Sequence, residues 1–245
     1  MILVAALFAA SPAPLPYPNA SAVACAVNET VDSLSCRAAQ AARDNRPAES
    51  ASLLEQAAAG LAGVRRDQAL AAAGNMWIAA GDGKKAAATL DKALAGGTLS
   101  GTQLGLAQLD RARAAEEAGD LKAARALVTK AAETVSADPF LWYFSAALAI
   151  REDNIPLARA TINRALTMAP GSALVLFEAG HVSKAAGDDK EARNYWEKAV
   201  AADPAGSTGA AARDALSMLD VPLTVTNEVA KRPDGDGEGP ADPQP

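Results

Sequence analysis

The sequence predicts an all-α solenoid, with helices stacked in repeating pairs and one further helix closing the C-terminal end. Three observations carry this reading. Half of the residues are apolar, yet aromatics supply only 4%, and alanine makes up much of the remainder. Alanine is the strongest helix former and lets helices approach closely. Second, the pairs Gly119-Asp120, Asp153-Asn154 and Gly187-Asp188 recur at intervals of 34 residues, a period typical of repeat architectures. Third, small residues hold fixed places after each pair. Ala124, Ala158 and Ala192 come first, Ala131, Ala165 and Ala199 seven residues later, and Ser136, Pro170 and Pro204 five beyond those. Alanines seven apart lie two turns apart on one helix face, where a bulky side chain would push neighbouring helices away.

The N-terminal stretch predicts export. Ile2 to Ala10 is apolar and too short to span a bilayer. Pro, Ala and Ser dominate Ser11 to Ala24, and no charged side chain precedes Glu29. Ala20-Ser21-Ala22 and Ala22-Val23-Ala24 both offer a small-x-small cleavage pattern, so residues 1–24 read as a secretory signal and the location as periplasmic or secreted. No Lys or Arg precedes the apolar run, and a cytoplasmic protein with a disordered arm is the alternative. Lipidation of Cys25 is disfavoured, because Ala22 stands where lipoproteins carry Leu and four prolines intervene after the apolar run.

Cys25 and Cys36 are the only cysteines. In an exported chain they suggest a disulfide. Along one continuous helix eleven residues rise about 16 Å, too far to bridge. A bond therefore requires that the helix begin after Cys25 and the chain fold back; two free thiols are the other reading. No metal is expected, since a zinc site wants four ligands and the single His181 is remote.

Residues 25–66 predict an N-terminal helical segment containing a divergent copy from Val31 to Val64, with Asn45 at its turn. Arg37 falls where an apolar residue is usual. Residues 67–204 hold four copies. The first runs from Asp67, with Gly81-Asp82 at its turn and then Ala86 and Ala93; it is 38 residues from the next, and the extra length is assigned to Gly96–Gly101. Gly119 and Gly187 suit a left-handed helix end, and Asp120 and Asp188 suit the following N-cap, Asp188 with Glu191 forming a capping box. Asp138-Pro139 supplies an N-cap and a first-turn proline. Residues 205–220 predict a capping helix with Ala211, Ala215, Leu216 and Leu219 on one face. Residues 221–245, rich in Pro, Gly and acid towards the end, predict a disordered tail.

These repeats resemble the tetratricopeptide repeat family, whose unit is two antiparallel helices with Gly or Asp in the turn and a Pro after the second. The likeness covers residues 67–204. Ser172 to Pro204 is the clearest copy, with Gly180 at the small place of its first helix and Trp196 at the large place of its second. Trp142 takes the aromatic place in the copy from Pro139. The resemblance implies a right-handed solenoid whose first helices line a concave groove. Carried across, its groove-facing places are Phe140, Tyr143, Ala147 and Ile150, then Leu174, Phe177, His181 and Lys184. The two preceding copies give Leu106, Leu109, Arg113 and Glu116, and Gln68, Ala71, Asn75 and Ile78. Chaperone-binding members grip a carboxylate with a basic clamp. Asn75 matches one clamp place, but Ala71 stands where the Lys should be, which argues against that role.

Several chemistries are disfavoured. The net charge of −6 is spread along the chain, which argues against nucleic acid and anionic membrane surfaces. His181 has no nucleophile directly beside it in sequence. Gly81-Asp82-Gly83-Lys84-Lys85 lacks the upstream glycine of a phosphate loop, since Ile78 stands there, and lacks its final Ser or Thr. Asp234, Asp236 and Glu238 lack the closing Glu of a calcium loop. The expectation is therefore a non-enzymatic scaffold or adaptor without cofactor, binding a protein or peptide in a partly apolar groove. An assembly factor for an outer-membrane, secretion or cytochrome-biogenesis complex is the alternative. Packing of some groove residues between repeats, or cover by the chain's own tail, is the competing expectation for that surface. Val221 to Val229 could also dock into a second copy and give a homodimer.

Overall fold

The computed structural model describes residues 25–220; the expectations for a signal over 1–24 and a tail over 221–245 lie outside them. The described residues form eleven helices and no strand: α1 Val31–Arg43, α2 Pro47–Ala59, α3 Gly63–Ala79, α4 Gly83–Ala95, α5 Gly101–Glu117, α6 Leu121–Val135, α7 Pro139–Arg151, α8 Ile155–Met168, α9 Ala173–Ala185, α10 Asp189–Ala202 and α11 Ser207–Asp220. Among the described residues no helix is long and apolar enough to cross a membrane.

One local device makes every helix pair. The first helix ends on a left-handed residue: Asn45, Gly81, Gly119, Asp153 and Gly187, with φ of 56°, 73°, 82°, 56° and 81°. The next residue's N–H then donates back to a carbonyl of the final turn, as Asp120 does to Ala115 (2.9 Å) and Asp188 to Ser183 (2.9 Å). This satisfies helix-end acceptors that would otherwise be orphaned. Four of those residues also N-cap the second helix: Asp82, Asp120, Asn154 and Asp188 accept from Lys85, Ala123, Leu157 and Glu191. Only half of the expected capping box forms at α10, because the Glu191 carboxylate takes the Ser183 hydroxyl (3.0 Å) instead of reaching back. At the first pair Arg46 makes no side-chain cap, and Pro47 begins α2.

Counting from these turns, the small places are filled without exception. Five residues after the turn stand Ser50, Ala86, Ala124, Ala158 and Ala192; twelve after stand Ala57, Ala93, Ala131, Ala165 and Ala199; all are 0% exposed. Seven before the turn stand Ala38, Gly74, Ala112, Ala146 and Gly180, and nine after it Leu54, Leu90, Val128, Ile162 and Trp196, with Gly74 facing Leu90 and Gly180 facing Trp196. Glycine appears where it is needed. A Cβ on Gly74 would lie 2.4 Å from Leu90, and one on Gly180 only 2.2 Å from the Trp196 ring.

The extra residues of the earlier copies are not confined to Gly96–Gly101. Relative to their turns, α7 and α9 begin 14 residues earlier, whereas α3 and α5 begin 18 earlier. Each of the latter gains one N-terminal helical turn, and residues 96–100 only bridge to it. Asp67, one turn into α3 and fully buried, fastens that bridge by accepting from Thr98 (2.6 Å) and Arg66 (2.8 Å). A Cβ on Gly96 would sit 1.9 Å from its carboxylate.

The pairs stack into a continuous core. One cluster spans α1 to α5, a second α5 to α9 and a third α9 to α11. Among the first helices α3 touches α5 and α7 touches α9, and no two second helices pack comparably. The first helices therefore run on the shorter, inner radius and form the concave wall. The last helix, α11, covers α10 and α9 with Ala212, Ala215, Leu216 and Leu219 and leaves Arg213, Asp214 and Met218 outside.

Candidate partner-binding groove

The inner wall is built from the first helices, and its surface differs from its backing. Half-buried Phe140, Ala147 and Ile150 of α7 and Leu174, Phe177 and His181 of α9 form the surface over the C-terminal half. Phe140, Ile150 and Leu174 pack on the second core cluster and Phe177 on the third. Phe177 meets His181 edge-on at 4.5 Å, and His181 meets Trp196 at 5.3 Å. The Trp196 indole N–H donates to the Phe177 carbonyl (3.0 Å), tying α10 to α9 behind this patch. Burial among these rings lowers the His181 pKa from 6.5 to about 4, so the imidazole is neutral at ordinary pH.

Three residues expected at the groove surface, Tyr143, Arg113 and Leu109, lie within the wall. Tyr143 is 4% exposed and Arg113 7%. The reason is the α5–α7 contact, where large side chains fill the space between repeats. The Arg113 guanidinium lies 5.6 Å from the Phe140 ring centre, and Phe140 lies 5.5 Å from Tyr143. These groups pack around the Phe140 ring. Leu109 is likewise buried.

A polar seam that the sequence did not announce runs through the wall. The Asn75 amide donates to Asp110 (2.9 Å), and Arg113 pairs with the same carboxylate (3.1 Å). Burial raises the Asp110 pKa despite both partners. Arg151 of α7 pairs with Glu116 of α5. Glu178 of α9 is buried, and desolvation with the nearby Glu116 charge raises its pKa to about 8. Burial, with the Glu178 charge adding, also pushes the Tyr143 phenol upward. Asp110 and Glu178 both stand nine residues before their turns, which is the only signal that could have found them. Lys184 pairs with Asp189 (2.8 Å) and stays exposed.

Elsewhere the chain folds back before α1 and joins Cys25 to Cys36, with Cα atoms 5.7 Å apart. Trp142 stands outside the groove: Arg164 stacks 3.7 Å over its ring and its N–H donates to the Ser136 carbonyl. Among the described residues no group of three or more His, Cys, Asp or Glu side chains could hold a metal.

Comparison with solved structures settles the architecture. YrrB, described as a TPR protein with an unusual peptide-binding site, aligns over 76% of this chain and 93% of its own, with a TM-score of 0.52 and 17% identity. The fold is that of a tetratricopeptide-repeat solenoid. PilW, a type IV pilus biogenesis factor, is similar over 77% of this chain and 83% of its own (TM-score 0.62, 16% identity). A tetratricopeptide repeat protein from Parabacteroides merdae aligns over 78% and 74% (TM-score 0.59, 16% identity). No protein-family model and no curated protein sequence matches the chain. At these identities the likeness establishes the tetratricopeptide-repeat fold and nothing finer.

Proposed function

We propose that the protein is a non-enzymatic scaffold that holds a protein segment against its concave wall, with Phe140, Ile150, Leu174 and Phe177 as the apolar contact. The observation that carries this reading is the pairing of half-buried apolar side chains on adjacent first helices with a wall locked from behind. A rigid wall with apolar anchors suits an amphipathic helix or an extended peptide. YrrB, of the same fold, has a peptide-binding site, which supports the reading.

A place outside the cytoplasm fits the Cys25–Cys36 bond, because disulfides persist in oxidising compartments. Within this reading, an assembly role in a cell-envelope complex is supported by the likeness to PilW, a pilus biogenesis factor.

The test is affinity capture from the native host with the intact chain and with a Phe140→Ala/Phe177→Ala variant. Tyr143 and Arg113 are left alone, since their loss would disturb the wall itself. A partner captured by the wild type and lost with the variant, at unchanged helicity, is the expected result. Equal capture by both would place the contact elsewhere.

A further inference from the structure

The interior repeats show which side of a first helix faces the repeat before it. Nine residues before its turn, Asp110 takes the Asn75 amide of the preceding first helix. Eight before their turns, Arg111 and Ser145 bond Asp91 (2.7 Å) and Arg125 (2.8 Å) on the preceding second helices. In α1 the matching places, nine and eight before Asn45, are Cys36 and Arg37, with Ser33 one turn earlier.

That face of α1 is covered by residues 25–30. Cys25 is bonded to Cys36, and the Ser33 hydroxyl donates to the Ala26 carbonyl. Arg37 donates to the Asn28 carbonyl (3.1 Å) and pairs with Glu29 (3.4 Å). Asn28 in turn accepts from the Thr30 N–H (3.1 Å) and hydroxyl (2.6 Å), and Thr30 caps α1. Ser33 is left 5% exposed. At the place from which Arg111 reaches the preceding second helix, Arg37 is instead taken up by the Asn28 carbonyl and Glu29 of this segment.

We propose that residues 25–30 are a disulfide-tethered cap that takes the place of a preceding repeat, so that the redox state of Cys25–Cys36 decides whether the first helix pair is closed. Opening is a two-electron exchange with a dithiol. Two electrons and two protons reach Cys25 and Cys36, giving two thiols, and the dithiol is left as a disulfide. The strap is then held only by its contacts to Ser33 and Arg37. Because solenoid repeats lean only on their neighbours, the loss should be confined to the end of the stack.

The experiment is hydrogen exchange read by mass spectrometry on the intact chain, with and without dithiothreitol, reduction being verified by alkylation of both thiols. A tether closing a loop of this length is worth about 100-fold in a local opening equilibrium. Amides of α1 and α2 should exchange faster by roughly that factor on reduction, with α7 to α10 unchanged. A Cys25→Ser/Cys36→Ser variant should match the reduced protein; if it fails to fold, reduction of the folded wild type still decides. Unchanged exchange in α1 and α2, or equal acceleration along the whole chain, would overturn the proposal.

Discussion

Gly180 and Trp196 show how the repeat works at the level of single side chains. The same places hold Ala146 with Ile162 and Ala112 with Val128, whereas Leu90 and Trp196 each have glycine opposite. Gly180→Ala is predicted to destabilise by about 1–3 kcal/mol through overpacking. Adding Trp196→Ile should recover part of that loss by recreating the Ala146–Ile162 pairing, a coupling that denaturant midpoints of the two single variants and the double would report. Strict additivity would count against direct complementarity. The buried titrating groups give a second prediction. The Glu178 carboxyl takes up its proton more readily folded (about 8) than at its ordinary 4.5, so the folded state holds the extra proton between those values and stability falls as pH rises through that window. His181, lowered to about 4 from 6.5, acts in the opposite sense, and its contribution is lost as pH falls from 6.5 to 4. The two slopes offset each other between pH 4.5 and 6.5, leaving a decline from 6.5 to about 8 that belongs to Glu178. Glu178→Gln should flatten that decline in melting curves taken across the range; an unchanged slope would point to another group.

At the scale of elements, the joints between repeats are made by few polar contacts. Arg125 of α6 is the clearest, with its guanidinium on both Glu152 oxygens (2.7–3.1 Å) and on the Ser145 hydroxyl and carbonyl of α7. Arg125→Ala should cost about 1–3 kcal/mol, as expected for charge-assisted hydrogen bonds at a partly buried site. Arg125→Lys should recover only a fraction, because an ammonium cannot reproduce the fork; full recovery in thermal unfolding would reduce the joint to simple charge pairing. Turn residues and small places were legible in the sequence because backbone sterics restrict both. A left-handed residue wants Gly, Asn or Asp, and a contact without room wants Ala or Gly. The inner wall was only half legible. Helical register places Tyr143, Arg113 and Phe140 on one side of their helices, but it does not reveal how deeply the next repeat covers each. That depth depends on side-chain volumes across α5 and α7, and it buries Tyr143 and Arg113 while leaving Phe140 in reach. Asp110 and Glu178 escaped notice because acidic residues in a first helix read as solvated unless the neighbouring repeat is known to cover them.

For the whole molecule, stacking on two radii separates the tasks. The second helices carry the small places five and twelve residues after each turn, and the first helices α7 and α9 carry the apolar surface. Among the described residues the stack is bounded by α11 at one end and by the Cys25–Thr30 strap at the other. The central claim is that a partner lies against the inner wall. Its most direct test is site-specific photo-crosslinking in the native host, with the photoreactive residue placed in turn at Ile150, Leu174 and Phe177 on the inner wall and at Lys130, Arg164 and Lys198 on outer helices. Adducts to one common protein from the inner positions, and none from the outer ones, are predicted. Adducts formed from the outer positions alone would contradict the account.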